Sequence, residues 1–274
     1  ELGVLKLLDK AQIDFSDINF LAHGTTVIIN AITERKGAKT ALITSEGFRD
    51  VLEIARGERP NFFNLNYTKP PPFVPRHLRR EVPGRMTYRG EELVPLDISE
   101  LDNIVEAFRA ESVQAIAICL LHAYANESHE LAVLERVREI APEMSVVASH
   151  QITRQWREYE RSHTAVLSAY GQPTADRYLT NLNVSLSDRG FDGSLYIMQS
   201  NCGIDTVDST RQTPITMVES GPASGVWGAA ELGRLLGEQN VLALDIGGTT
   251  AKCSLIENGH VKVITDYWIE RNQE

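Results

Sequence analysis

Apolar residues recur along this chain at two spacings, and the switching between them sets the expected architecture. Leu2, Val4, Leu5 and Leu8 lie at helical spacing. Ile18 to Ala22 then reads as a short buried strand, Thr26 to Lys36 as a helix stopped by Gly37, and Thr40 to Thr44 as a second strand. The same grammar returns with a helix from Ile98 to Arg109, a β-rich run from Val113 to Leu121, a helix from Glu130 to Ile140 and a strand from Val146 to Ala148. A long helix from Trp156 to Leu186, ended by Gly190, leads into a strand from Leu195 to Gln199. Last come a helix rich in small residues, Ala223 to Leu236, a buried strand, Val241 to Asp245, and a hairpin of Ala251 to Ile256 with Val261 to Thr265, turned at Asn258-Gly259. Such alternation predicts an α/β fold, a mostly parallel or mixed sheet with helices on its faces. One stretch breaks the pattern. From Gly57 to Pro83, prolines 60, 70, 71, 72, 75 and 83 interleave with Phe62, Phe63, Tyr67 and Phe73, which predicts a long excursion packed over the sheet.

A length of 274 residues gives room for two lobes, since domains commonly hold about 100 to 200 residues. The seam is expected near the long helix, with segments 1-150 and 151-274. With 42% hydrophobic and 23% charged residues, the chain has enough apolar material to bury a core. Its 27 basic against 37 acidic residues give a net charge of -10, which opposes nucleic acid and anionic membrane surfaces as partners. No apolar run reaches the roughly 18 residues of a membrane span, and Glu1 to Lys10 do not lead into a signal core. Cys119, Cys202 and Cys253 form no CxxC pair, so a soluble protein of a reducing cytoplasm is expected. The seven histidines show no HxxxH or HxH spacing, which argues against a dedicated protein metal site.

The strongest chemical signal is the run Val241 to Lys252: an apolar strand ending in Asp245, then Ile246, Gly247, Gly248, Thr249 and Thr250, then a second strand. Glycines allow positive φ and let successive backbone N-H groups approach an anion, and the two threonines add hydroxyl donors, so the turn suits a phosphate. A strand-end carboxylate beside such a turn can hold the water shell of Mg²⁺, which makes Asp245 the metal-side residue. The alternative is a plain hairpin whose diglycine only turns the chain while Asp245 caps it. There is no GxxxxGK[ST] loop and no GxGxxG; the turn resembles that of sugar kinases and actin.

Other polar clusters sit where strands hand over to helices. His23, Gly24, Thr25 and Thr26 would present free amides and the positive end of a helix dipole to an anionic ligand; alternatively, a threonine is only an N-cap and His23 a buried partner. Ser220 and Gly221 precede Pro222 and a helix of small residues, and Met198, Gln199, Ser200 and Asn201 follow a strand at the end where α/β proteins gather ligands. Loop packing explains either equally well. Arg157-Glu158-Tyr159-Glu160-Arg161 opens the long helix, and its alternating charges read as a solvated face laced by side-chain pairs.

In order along nearly the whole chain, His23-Gly-Thr-Thr, Thr40 to Ile54, Pro70 to Arg76, Arg157 to Arg161, Met198 to Asn201, Ser220-Gly-Pro-Ala and Asp245 to Thr250 resemble the hydantoinase A / 5-oxoprolinase family. The resemblance implies an actin-like ATPase of the ASKHA superfamily, with two ribonuclease-H-like lobes, each a mixed sheet flanked by helices around a nucleotide cleft. It assigns 1-150 to the family's N-terminal region and 151-274 to the beginning of the hydantoinase A domain. It further implies an earlier phosphate turn ahead of Glu1 and a large part beyond Glu274, so that this stretch alone is expected to be inactive. The activity implied is ATP-dependent opening of a cyclic amide such as a hydantoin or 5-oxoproline, through phosphorylation of the carbonyl oxygen. The implied cofactors are ATP and Mg²⁺, and the implied partner is a hydantoinase B-type subunit or domain, with room for a homo-oligomer. Asp245 would position Mg²⁺ or water, and Gly247, Gly248, Thr249 and Thr250 would bind phosphate. Where many members carry a second acid after the turn this chain has Lys252, and where relatives read Asn-Gly-Gly it has Asn201-Cys202-Gly203. These departures keep two alternatives in view: a subunit of an acetone-carboxylase-like ATP-dependent carboxylase, and a nucleotide-binding module serving a partner subunit.

Overall fold

The computed structural model describes residues 2–57, 63–247 and 251–263. Its elements begin with α1 (Leu2–Ala11), β1 (Phe20–His23), α2 (Val27–Thr33), β2 (Thr40–Ser45), α3 (Val51–Ile54), β3 (Arg79–Val82), β4 (Arg85–Met86) and β5 (Glu92–Val94). Next are α4 (Leu101–Ala110), β6 (Ala115–Cys119), α5 (Ser128–Ile140), β7 (Ser145–Ala148), α6 (Ser149–Ile152) and α7 (Glu158–Ser187). The remainder is β8 (Ser194–Met198), β9 (Ile204–Thr206), α8 (Val207–Gln212), α9 (Ser220–Leu236), β10 (Val241–Ile246), β11 (Ala251–Glu257) and β12 (His260–Val261). The chain packs as two compact units. One holds Ala31–Pro173; the other combines the described parts of Glu1–Asn30 and Thr174–Asp266. No helix among the described residues is long and apolar enough to cross a membrane.

The Ala31–Pro173 unit is built on a parallel sheet in the order β3-β2-β6-β7. Every residue of β2 and β6 is buried, the pattern of strands covered on both faces. Leu42, Ile43, Ile116, Ile118 and Val147 pack with Leu101, Val105 and Phe108 of α4, Leu134 and Val137 of α5 and Val166 of α7 in one core. Three expectations change here. The proline-rich excursion does not merely lie over the sheet, because its end supplies edge strand β3, paired in parallel with β2 from Leu42↔Arg79 to Ser45↔Val82. Gly37 is not a helix stop. α2 ends at Thr33, and at Gly37 a Cβ would come within 2.1 Å of the Tyr170 ring, so glycine is there for close approach. Finally, Arg157 to Arg161 is not a solvated face: Arg161 is fully buried and Glu160 pairs with Arg56.

The other unit holds a mixed sheet, β1-β8-β9, with β1 parallel and β9 antiparallel to β8, and an antiparallel sheet, β10-β11-β12. The β9–α8 step has no hydrophobic period to announce it; Thr206 caps α8 by accepting the Ser209 N-H at 3.2 Å. β11 and β12 turn through Asn258 (φ 52°) and Gly259 (φ 75°), both left-handed, as an Asn-Gly hairpin requires. The α/β expectation holds: parallel and mixed sheets are flanked by helices.

Candidate functional site

In the second unit, β1 delivers His23-Gly24-Thr25-Thr26 to the start of α2, and this segment meets the start of α9. Buried Ser220 holds Thr25 at both ends: its Oγ accepts the Thr25 N-H at 3.1 Å and donates to the Thr25 carbonyl at 3.1 Å. The approach is close enough to demand glycine, since a Cβ on Gly24 would lie 3.0 Å from Ser224 Oγ and 3.2 Å from the Gly221 Cα. The Thr25 amide is therefore spent within the protein. Its hydroxyl accepts the Val27 N-H at 3.2 Å, the capping part, while Thr26 Oγ1 accepts from Asn30 at 3.3 Å. His23 Nε2 lies 2.6 Å from the Tyr178 hydroxyl, with the rings stacked, and burial holds its imidazole below the usual histidine range.

The turn after β8 is tied to the same region. Ser200 N-H and Oγ both donate to the Thr216 carbonyl at 2.7 Å, which anchors the turn to the segment leading into α9. Asn201 is exposed, and its side-chain oxygen accepts the Gly203 N-H at 2.8 Å across left-handed Cys202, whose thiol burial pushes up.

Asp245 sits on β10 opposite Lys252 of β11, and a ladder pair places both side chains on one face. Lys252 in turn pairs with Glu219, the left-handed residue just ahead of Ser220. Lys252 thus neither faces solvent nor stands alone: it bridges the Asp245 strand end to the α9 start. The β10–β11 ladder ends at the rungs Asp245↔Lys252 and Ile246↔Ala251. Asp245 and Gly247 are exposed; Gly248, Thr249 and Thr250 lie outside the described residues. An exposed carboxylate next to a glycine suits a hydrated divalent cation, and no group of three or more His, Cys, Asp or Glu among the described residues forms a closed metal cage.

The structure thus gathers His23, Gly24, Thr25, Thr26, Ser220 and Gly221, and through Glu219 and Lys252 links them to the strand end bearing Asp245. Asn201 joins only through its neighbour Ser200. Sequence reasoning missed Glu219 and Tyr178, because neither stands in a motif and their roles appear only when strand and helix ends meet.

Comparison with known proteins adds to this geometry. The family model described as hydantoinase/oxoprolinase N-terminal region matches residues 1–141, and that described as hydantoinase/oxoprolinase matches residues 161–273. The chain is 36% identical over 270 residues to an uncharacterized protein of Methanocaldococcus jannaschii, covering 97% of this chain and 40% of that one. It is 33% identical to the caprolactamase subunit alpha of Pseudomonas jessenii, across 92% of this chain and 36% of the relative. Among solved structures, a nucleotide-free acetone carboxylase overlays 92% of this chain and 38% of its own with a TM-score of 0.81 at 27% identity. The ATP-dependent caprolactamase of Pseudomonas jessenii does so with a TM-score of 0.80 at 32% identity. The chain therefore spans less than half the length of each of these proteins.

Proposed function

The chain belongs to the hydantoinase/oxoprolinase family, and from that premise we propose that its protein uses ATP to open a cyclic amide, with the Asp245 bend serving the phosphates. The observation that carries the reading is the Asp245–Lys252–Glu219 arrangement, which ties an exposed carboxylate at the end of β10 to the start of α9. The likeness to an ATP-dependent caprolactamase supports a lactam-type substrate. In this reading 1-150 is the family's N-terminal region and 151-274 the start of the hydantoinase A domain, and a second subunit or domain completes the enzyme.

The chemistry follows from the weakness of an amide nitrogen as a leaving group. Transfer of the γ-phosphoryl group of ATP to the carbonyl oxygen releases ADP and leaves the carbon electrophilic. Water then adds to that carbon, the C-N bond breaks as the nitrogen takes a proton, and a second water hydrolyses the acyl phosphate so formed to release phosphate and the open-chain carboxylate. Asp245 would hold hydrated Mg²⁺, which when bound supplies charge neutralisation at the phosphates. Gly247, Gly248, Thr249 and Thr250 would donate to phosphate oxygens, whose charge grows as the bond to ADP breaks. Ser220 keeps Gly24 and Gly221 in contact, and Lys252, neutralised by Glu219, braces the strand that bears Asp245.

Loss of one such electrostatic contact typically costs on the order of 10²- to 10³-fold in kcat. Asp245→Ala in the complete enzyme is expected to lower ATP-coupled ring opening by at least that factor and to weaken Mg-ATP binding in calorimetry. Turnover and binding equal to the parent would overturn the assignment. A second reading, an ATP-dependent carboxylation subunit, draws on the acetone carboxylase overlay. It shares the carbonyl-phosphorylation step, and assays supplying bicarbonate with a ketone separate it from amide hydrolysis.

A further inference from the structure

The polar groups around the end of β1 are nearly all committed to one another. At Thr25 the N-H and the carbonyl are both held by Ser220, and the hydroxyl accepts the Val27 N-H. Thr26 gives its carbonyl to the Asn30 N-H at 3.0 Å and its hydroxyl oxygen to the Asn30 side chain at 3.3 Å, while Ser224 Oγ donates to the Ser220 carbonyl. Half-buried His23 is the exception. Its Nε2 meets the Tyr178 hydroxyl at 2.6 Å, but its Nδ1 has no partner among the described residues.

A ring nitrogen left open while the other is held by a second side chain is the arrangement of a base and the group that orients it. Tyr178 reaches His23 from α7, with the two rings stacked at 5.9 Å between centroids. A phenol both donates and accepts, so this bond persists in either neutral tautomer of the imidazole and in the imidazolium. Nδ1 can therefore take up a proton and give it back while the ring stays in place. Because burial holds the imidazole below its usual range, the ring is neutral at neutral pH and ready to accept. The location suits a reacting group. β1 runs parallel to β8 as far as His23↔Ile197, and His23 ends the strand at its carboxyl end, where α/β proteins gather ligands. Within the same unit, the neighbouring Thr25 is joined through Ser220, Glu219 and Lys252 to the strand end bearing Asp245.

We propose that His23 is a catalytic residue of ring opening, its Nδ1 taking the proton from the water that attacks the activated carbon and delivering it to the amide nitrogen, with Tyr178 as the positioning residue. The assignment rests on the cyclic-amide reading and adds to it the group that moves the proton. The water oxygen bonds to carbon as its proton passes to Nδ1. The C-N electron pair then leaves with the nitrogen, which takes that proton, and the imidazole returns to its neutral form.

Single-turnover reactions of the complete enzyme with Mg-ATP and either ε-caprolactam or 5-oxoproline test this by following ADP and the newly freed amine side by side. In the parent the two should appear in equal amounts. His23→Gln is expected to slow amine release by about 10²- to 10⁴-fold, the usual contribution of a positioned base, and to slow the lactam-dependent ADP burst far less. Tyr178→Phe keeps the ring stack but removes the hydroxyl, and should slow amine release about tenfold or more, as for one hydrogen bond to a charged group. Free imidazole should restore amine release to His23→Ala and not to Tyr178→Phe, a difference that a merely structural role would not produce. A parent that makes no lactam-dependent ADP overturns the cyclic-amide reading and the role of His23 with it. A parent that does so, while His23→Gln releases amine within about threefold of it or loses both products in the same proportion, overturns the role of His23 alone. If His23→Gln does not fold, amine release by Tyr178→Phe at the parental rate overturns that role instead.

Discussion

Arg161 spends all three of its guanidinium nitrogens inside the protein, on Ser149, Gln155 and Leu120, and opposes the buried charge of Glu130. Removing one partner of a buried charge pair leaves the other uncompensated, at a cost of about 3–5 kcal/mol. Arg161→Met is therefore expected to lower the urea midpoint sharply, and adding Glu130→Gln should recover part of the loss, because the stranded charge goes with it. A single-site loss below about 1 kcal/mol would show that water already shares the burden. His23 gives the pH counterpart. Its imidazole is held below the usual value of about 6.5 by burial, so the unfolded chain binds the proton more readily. Its contribution is present above that value and is lost as pH falls through the lower folded value. His23→Gln keeps a polar group near Tyr178 but removes the titration. Relative to it, the parent should lose melting temperature as pH falls below about 6.5, with the two curves parallel above about pH 7.5.

Elements with strong local grammar were readable in advance. Asn258-Gly259 forms the turn expected of that dipeptide, and Gly190 (φ 86°) closes α7 as a left-handed cap. At Gly259 the left-handed conformation disfavours a side chain, and a β-branched one most. Gly259→Val should cost about 1–2 kcal/mol and show itself as faster amide exchange in β11 and β12, with β2 and β6 unchanged. Elements governed by tertiary contact were not readable. β3 is Arg79-Arg80-Glu81-Val82, a charged sequence that becomes a strand because Leu42 to Ser45 offer it a partner and because Arg79 finds the Val74 carbonyl and Glu53. The short β9–α8 step depends on Thr206 and its neighbours rather than on any period. The same division runs through the site. The motifs at His23, Ser220 and Asp245 stood out for their residue types, whereas Glu219 and Tyr178 gain meaning only from the fold.

At the scale of the whole chain the most telling feature is an uncovered apolar face. β10 and β11 turn Val241, Ala243 and Ile256 one way, while Leu242, Leu244 and Ile246 point the other and are 64%, 62% and 70% exposed, with Leu255 beside them across the ladder. Leu232, Leu235 and Leu236 of α9 are exposed as well. Strands apolar on both faces are built to be covered twice, and a monomer seldom leaves such a patch open. The chain spans 40% and 36% of two of its relatives, which are long enough to carry further structure for such a face. Studied by itself, the 274-residue chain is therefore expected to associate as its concentration rises and to bind a fluorescent apolar dye. Leu242→Thr with Leu244→Thr should reduce both, since threonine keeps the strand preference while removing apolar surface from the face. Sedimentation of parent and double variant across a hundredfold concentration range makes the comparison, and identical monomeric behaviour of the two would mean that the face is tolerated by water as it stands.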